Sequence, residues 1–414
     1  MPAPPIDDGL RQKARDLYAE IGNRTEVGRR LRLDRNTVRK YTADMPAPPA
    51  AGRAAPSPSP APAGPPETPE QRATRMRELS RERDLLRDVA GEKSFRSFLE
   101  SLAAETVERL APPPKPKPFR PHRGAVSETL VTQWSDWHWA EIVKSEAVQG
   151  LNNYNAAVGR ARVWSIVDKL RNIKARMEKG GWHFPRAVVA VNGDLISGSI
   201  HEVEKHSDPN NVILAAYQCG RLLALALRDV AAEFPEVWVV CTPGNHGRLP
   251  DHRRVASKEP SRNWDTLIAL IAKTACESIG HMRFIIPDSY TAVYEVEGHL
   301  FGQSHGHDVK SWMHTPIYGL NRMVSSLNAI RVTRGKPINY FLFGHFHNKV
   351  SVDYGGAEYF VNGSLIGGTE FSVNALGKAD RPCQWMLGVH KEHGVTHRWP
   401  LYAEEENGTY EVPQ

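Results

Sequence analysis

Three observations predict an α/β protein preceded by a small all-α module. From Thr129 onward, short apolar runs rich in β-branched residues alternate with longer amphipathic stretches. The later runs follow one another with little helix between them. Two proline-rich segments, 45–69 and 111–123, set this region apart from a charged, helix-forming N-terminus. Alternation of the first kind places helices over a parallel sheet, and the second observation makes the sheet mixed.

The expected strands are TLVTQWS, RAVVAVN, VWVVC, RFIIP, TAVYEV, YFLFG and EYFVN. Helices are expected between the first three, around Tyr154–Lys179 and Val212–Glu233. With 414 residues, the chain has room for one large domain and accessories. The expected division is a helical module over 1–44, an extended Ala/Pro-rich linker over 45–69, a charged helical segment over 70–110, a Pro/Lys-rich linker over 111–123 and the main domain over 124–414.

The net charge of +6 favours a polyanionic partner or substrate. Cys219, Cys241, Cys276 and Cys383 form no C-x-x-C pair and lie in or beside apolar runs. That predicts buried, reduced thiols and argues against a structural zinc site. No segment has the ~18 uninterrupted apolar residues of a membrane span. The opening MPAPPIDDGLRQ lacks the basic start and apolar stretch of a signal peptide, so a cytoplasmic protein is expected, with no membrane partner.

Five polar clusters follow strand-like runs. They are Ser135-Asp136-Trp137-His138, Asn192-Gly193-Asp194, Pro243-Gly244-Asn245-His246, Ser304-His305-Gly306-His307-Asp308 and Gly344-His345-Phe346-His347. Loops beyond the carboxyl ends of strands converge on one crevice in open α/β sheets. Two divalent ions ~3.5–4 Å apart need a bridging carboxylate and several neutral ligands. Asp136 and His138, two residues apart on an extended segment, would project to the same side and chelate one ion. Asp194, after a glycine that permits a tight turn, suits the bridge. Asn245 offers a neutral oxygen, and His345 and His347 can reach two ions from one loop. This donor set suits manganese first, with iron or zinc as alternatives, and calcium least.

In this order the motifs D-x-H, G-D, G-N-H, H-G and G-H-x-H, over about Leu130 to Gly363, resemble the calcineurin-like metallophosphoesterase superfamily. The resemblance implies a sandwich of two β-sheets flanked by helices. It implies one ion on Asp136, His138 and His347 and another on Asn245, His305 and His345, with Asp194 bridging and His307 as an alternative to His305. His246 would stand beside the leaving-group oxygen as proton donor or phosphate stabiliser. The chain departs from the pattern where Gly247 follows His246 and Ser197 lies three residues after Asp194. A carboxylate orienting His246 would then come from elsewhere, such as Asp251 or Asp208. Arg248 is a candidate contact for substrate phosphate, and His201 and His206 are candidates to line the cleft. The Asn362-Gly363-Ser364 turn resembles another recurrent element of the superfamily and is assigned no chemistry.

In the N-terminal module, a first helix is expected over Leu10–Ile21 with Leu10, Ala14, Leu17, Tyr18 and Ile21 on one face. A second opens at Thr25, and Asp34 caps a third that buries Val38 and Tyr41. The arrangement resembles a resolvase- or transposase-type helix-turn-helix, with Arg35, Asn36, Thr37, Arg39 and Lys40 as candidate DNA contacts. Leu10 to Tyr41 holds ten Lys/Arg against four Asp/Glu. A basic protein-interaction module is the alternative, but duplex DNA is the preferred partner. The 70–110 segment reads as a solvated helix or a packing arm, with a dimerisation element as the alternative.

These readings imply a metal-dependent phosphodiesterase that cuts DNA. The superfamily contains a branch of repair nucleases, and the layout resembles phosphoesterases encoded by bacteriophages and prophages. The competing readings are a phosphomonoesterase acting on phosphoproteins or nucleotides, and a DNA-binding regulator with a vestigial phosphoesterase domain.

Overall fold

The computed structural model describes residues 8–21, 23–31, 33, 35–45, 95–116, 124–198, 212–249, 259–309 and 316–403. The chain divides into two compact units, 1–83 and 84–414.

In the first unit, α1 (Asp8–Ile21), α2 (Arg24–Leu31) and α3 (Arg35–Tyr41) share a small core of Ala14, Tyr18, Val27 and Val38. Leu10, Leu17 and Tyr41 are half-buried. The second helix starts one residue before the expected Thr25. The Asn23 side chain caps it, accepting the Thr25 and Glu26 N–H groups at 3.0 and 3.3 Å. The expected Asp34 cap lies outside the described residues. Arg24 donates to Thr42, and Arg29 and Arg30 pair with Glu26.

The second unit is an α/β sandwich of two sheets flanked by helices. One sheet has six strands in the order β11-β10-β1-β2-β3-β4. These are β1 (Val126–Trp134), β2 (Trp182–Asn192), β3 (Glu236–Thr242), β4 (Met282–Ile285), β10 (Cys383–His390) and β11 (Gly394–Tyr402). The first four run parallel, and the last two are antiparallel additions. The other sheet has the order β5-β6-β7-β9-β8. It is built from β5 (Thr291–Val296), β6 (His299–Ser304), β7 (Tyr340–Phe343), β8 (Val350–Tyr354) and β9 (Ala357–Val361), with β6, β7 and β9 parallel.

Strand alternation explains the layers. Val131, Val188, Ala190 and Val240 face Phe301, Leu342 and Phe360 between the sheets. Their neighbours Leu130, Val189 and Val239 point the other way. They meet α5 (Ala156–Lys179), α6 (Val212–Ala231) and α7 (Trp264–Ala275) through residues such as Ile166, Leu223 and Ile268. On the far side, Phe341, Phe343 and Tyr359 bury Leu320 and Val324 of α8 (Ile317–Val332). Helices α7 and α8 correct the expectation of little helix among the later strands.

A further helix, α4 (Phe95–Thr106), falls within the expected charged segment, yet Leu99, Ala103 and Val107 are buried in the main core. The Leu110 N–H donates to the Ala275 carbonyl at 2.7 Å. The core therefore extends N-terminal to the 111–123 proline run, because α4 covers apolar surface beside α7. Residues 70–94 lie outside the described set.

All four cysteines are buried and unpaired. No helix among the described residues is long and apolar enough to cross a membrane.

Buried amides tie the two sheets together at one end. Gln303 donates to the Val191 carbonyl at 2.8 Å, and Asn192 donates to the Ser304 and Leu342 carbonyls at 3.0 and 3.1 Å. Gln133 donates to the Phe343 carbonyl at 2.7 Å. Unpaired, such groups would be costly between apolar layers, so they fix the sheets' mutual register. The loops after β1, β2, β3, β6 and β7 consequently open at a common edge.

Candidate metal centre

All five sequence clusters meet at that edge. Asp136, His138 and His347 offer ligand atoms within 4.8 Å of one another; so do Asp194, His305 and His345, and so do His138, Asp194 and His246. The first group brings together the three residues that the motif resemblance assigns to one ion, and the second brings Asp194 together with His305 and His345, which it assigns to the other. Asn245 is buried beside them, with its Oδ1 enclosed.

The backbone achieves this through strain rather than extension. Asp136, His138, Asp194, His345 and His347 have φ of 54°, 50°, 50°, 71° and 58°. That is five of the eight non-glycine residues with positive φ among the described residues, so the left-handed strain is concentrated here. The expectation that Asp136 and His138 lie on an extended segment is thus corrected: β1 ends at Trp134, and a left-handed turn aims both inward. Gly193 and Gly244 let two of the loops touch backbone to backbone. A Cβ on Gly193 would overlap the Gly244 backbone, and one on Gly244 would overlap the Asp194 carboxylate.

Hydrogen bonds fix the imidazole tautomers. A backbone carbonyl only accepts, so His305 donates through Nδ1 to Asn192 O at 2.8 Å. Its Nε2, the nitrogen turned towards the centre, lies 2.7 Å from Asp194 Oδ2 and carries the proton of that ion pair when no metal replaces it. Ser197 spends its hydroxyl proton on Glu141, so it accepts from His138 Nδ1 at 2.9 Å. His138 Nε2 then presents a lone pair to His347 Nε2 at 3.1 Å. Among the described residues, the buried Asn245 Oδ1 has no hydrogen-bond partner, and Asp194 Oδ2 and His305 Nε2 face each other. A buried carboxylate and a donorless amide oxygen that converge on imidazole nitrogens fit a bound cation, and the carboxylate, imidazole and amide set fits divalent transition metals.

The charges agree. Burial works against both ions of the Asp194–His305 pair. Even so, the His305 and His246 imidazoles hold Asp194 well below the usual carboxylate range, and Asp194 and Asp136 raise His305 to about 9. Burial, with His305 nearby, pushes His345 down to about 3. Burial and the neighbouring His246 likewise hold His138 well below its ordinary value. Burial, helped by His305 and Arg248, lowers His307 to about 4. The cluster thus concentrates negative charge on Asp194 and keeps most of its imidazoles neutral, the form that binds metal.

Sequence reasoning missed the frame behind the ligands. Asp265, at the start of α7, accepts from the backbone N–H groups of Asp194 and Gly244 on Oδ2 at 2.9 and 2.8 Å, and from Leu195 on Oδ1 at 3.0 Å. Asn263 caps α7 and donates to the Gly244 carbonyl at 2.8 Å. Its Oδ1 fills the space that a Cβ on Gly247 would need, which explains the glycine after His246. Ser197, the second departure from the motif pattern, joins Glu141 in orienting His138. Asn362, assigned no chemistry, donates to Ser135 Oγ at 3.0 Å, and Ser135 in turn donates to Asp136. An Asn before an acid and an apolar run, as in Asn263-Trp264-Asp265, was the available signal for α7.

His246 lies at the rim. Its backbone N–H donates to Asp194 Oδ1 at 2.8 Å, and its Nε2 is 3.9 Å from Asp194 Oδ2. Its Nδ1 faces the Ser197 carbonyl at 3.3 Å, so a backbone acceptor meets the position where Asp251 or Asp208 was expected. Those two aspartates, with His201 and His206, lie outside the described residues. Arg248 stands beside the centre with its guanidinium 5.4 Å from the Tyr290 ring. His307 is not in any of the three ligand groups; its ring lies 5.8 Å from His305.

No family model matches this chain. No curated protein matches it either. Among solved structures, it is similar to a Vps29 single mutant from Entamoeba histolytica at 12% identity, covering 66% of this chain and 99% of that one, with a TM-score of 0.27. It is also similar to an archaeal phosphodiesterase at 11% identity, covering 66% and 99%, with a TM-score of 0.29. A third similarity is to a conserved uncharacterised protein, a predicted phosphoesterase, from Streptococcus pneumoniae, at 11% identity, 67% and 99% coverage and a TM-score of 0.25.

Proposed function

We propose that this protein is a phosphoester hydrolase dependent on two divalent metal ions, and that it cleaves phosphodiesters in DNA. The observation that carries this reading is the convergence of Asp136, His138, Asp194, His305, His345 and His347 beside Asn245, whose buried Oδ1 has no hydrogen-bond partner among the described residues. Asp136, His138 and His347 would hold one ion, Asn245, His305 and His345 the other, and Asp194 both. Bound there, the ions supply the positive charge that activates water and neutralises phosphoryl oxygens. Manganese suits the donor set best, with iron or zinc next.

The residues themselves define the approach. The side chains of Asp136, His138, Asp194 and His305 are at most 3% exposed, whereas His246 and His347 are 19% and 23% exposed. Substrate therefore enters over His246 and His347. Ser197 and Asp194 hold His246 where it can give a proton to the departing oxygen. Arg248, on the same turn, adds a guanidinium for substrate phosphate oxygens outside the reacting group.

DNA is favoured by the net charge of +6 and by the first unit, where Asn36, Arg39 and Lys40 are exposed on α3. Thr37 is half-buried on the same helix. Arg35 opens that helix.

The test is metal-rescued hydrolysis. Chelator-stripped protein receives Mn²⁺ and is offered bis-p-nitrophenyl phosphate, p-nitrophenyl phosphate and linear duplex DNA, beside an Asp194→Asn control. Mn²⁺-dependent cleavage of the diester and DNA, lost in the control, is expected. Cleavage of the monoester alone would replace this reading with a phosphomonoesterase. Inactivity on all three substrates, with tight DNA binding retained, would replace it with a DNA-binding regulator.

A further inference from the structure

Beside the centre, three side chains from three loops form a cluster that metal binding does not use. Arg248 follows β3, Tyr290 precedes β5 and His307 follows β6. The Arg248 guanidinium carbon lies 5.4 Å from the Tyr290 ring centroid, and the Tyr290 and His307 rings meet edge-on at 5.2 Å. Among the described residues, each carries buried polar atoms with no hydrogen-bond partner: Arg248 Nε, Tyr290 Oη and both nitrogens of His307. The His307 side chain is 5% exposed. Its nearest carboxylate, the outward-facing Asp308, stands 3.6 Å from Nε2, beyond hydrogen-bond reach.

Stacking explains why Arg248 lies over Tyr290, but it does not use the Arg248 Nε–H or the Tyr290 O–H. Metal binding does not explain His307, which is in none of the ligand groups able to converge on an ion. A guanidinium, a phenol and an imidazole are all donors, and phosphate oxygens are their natural acceptor.

Position distinguishes this cluster from the reacting centre. The His307 ring adjoins only the second ion group, 5.8 Å from His305 and 6.5 Å from His345. The reacting phosphoryl must instead lie over Asp194, between both groups and within reach of His246.

We propose that Arg248, Tyr290 and His307 form an anion subsite that holds a second, non-reacting phosphate of the substrate. The inference rests on the phosphoester reading above and narrows it to substrates with at least two phosphates, such as oligonucleotides.

The experiment has two arms. In the first, the Mn²⁺-loaded protein hydrolyses thymidine dinucleotides with and without an added terminal phosphate, at the 5′ or the 3′ end. The expected result is about a tenfold lower KM for one phosphorylated form, a preference that Arg248→Ala and Tyr290→Phe each abolish. No preference in the unmodified protein, or equal losses on all dinucleotides in the variants, would overturn the subsite.

The second arm needs no turnover. Calorimetry measures inorganic pyrophosphate binding to the metal-stripped protein and to both variants, with melting curves confirming that the variants fold. At least tenfold weaker binding in the variants is expected. Equal affinity overturns the subsite. Weaker binding with no hydrolysis of any substrate would sink the hydrolase reading and keep the anion site.

Discussion

Asp265 holds Asp194 in place by its backbone: one carboxylate oxygen of Asp265 accepts the Asp194 N–H at 2.9 Å and the Gly244 N–H at 2.8 Å. Two buried carboxylates thus lie close together. Burial and the charge of Asp194 raise Asp265 to about 6, while Asp194, nearer the histidines, keeps its charge. Asp265→Asn preserves the shape but points an amide N–H₂ at backbone donors, whichever way the amide turns. We expect a loss of about 1–3 kcal/mol in stability. We also expect Mn²⁺ affinity to fall roughly 10–100-fold, as when an outer-shell partner of a ligand is lost. Thermal melts and a metal titration measure the two. Unchanged Mn²⁺ affinity would show that Asp265 serves the fold and not the centre.

The five polar clusters were legible because a metal centre of the proposed kind needs particular residue types at strand ends, and each cluster follows a run whose strand character is plain. Asp265 was not legible. It acts on Asp194 from 71 residues away, through peptide groups that every residue carries. Strands β10 and β11 also escaped notice. β10 is buried along nearly its whole length, so CQWMLGVH shows no alternation, and Gln384 within it looks like a loop residue. The left-handed turns at Asp136 and His138 left no trace either, since neither residue type requires that conformation. Ser197 and Gly247 look like departures from a motif until the structure shows Glu141 behind one and Asn263 behind the other.

The metal-free protein should lose stability towards both acid and alkaline pH, through different histidines. His305 is raised to about 9, so its contribution is full below the unfolded value of ~6.5 and is lost as pH rises through about 9. His345 and His307 are lowered to about 3 and 4, so their contribution is full above ~6.5 and is lost as pH falls towards those values. A divalent ion held by His305, as proposed, would replace the proton on that imidazole. Melting curves from pH 5 to 9.5, with chelator and with Mn²⁺, should therefore show an alkaline limb that Mn²⁺ flattens. Persistence of that limb in Mn²⁺ would remove His305 from the ligand set.

Ser197→Ala should weaken one ion site and spare the other. Ser197 fixes His138 with Nδ1 protonated, and Glu141 holds Ser197 by accepting its hydroxyl proton. Without that partner, His138 can present the wrong nitrogen. Affinity for one of two Mn²⁺ equivalents should drop roughly tenfold or more. A titration in which both equivalents weaken together would contradict the assignment of His138 to a single ion.

Gly247→Asp would place an acid where the motif often has one, and the structure says it should harm the protein. Its Cβ would overlap Asn263 Oδ1, which also caps α7. Relief requires moving the helix start that carries Asp265. We expect destabilisation of about 1–3 kcal/mol, read from chemical denaturation. A variant as stable as the parent would mean that the Asn263 side chain yields without cost, and the fit between the two loops would lose its significance.

The proposal that α3 contacts DNA makes a separate prediction for its exposed cations. Arg24, Arg29 and Arg30 already engage Thr42 or Glu26 within the first unit, whereas Arg39 and Lys40 are exposed. If Arg39 and Lys40 neutralise phosphates, each replacement by Ala should lower the slope of log affinity against log salt by about 1, on any sequence. Asn36 is also exposed, and its amide suits a base edge, so Asn36→Ala should alter sequence preference by about 1–3 kcal/mol with little change in slope. Anisotropy titrations of the full chain on duplex DNA at several salt concentrations separate the two behaviours. Slopes unchanged in both cation variants would assign the basic surface of α3 to another partner and leave DNA recognition to the second unit.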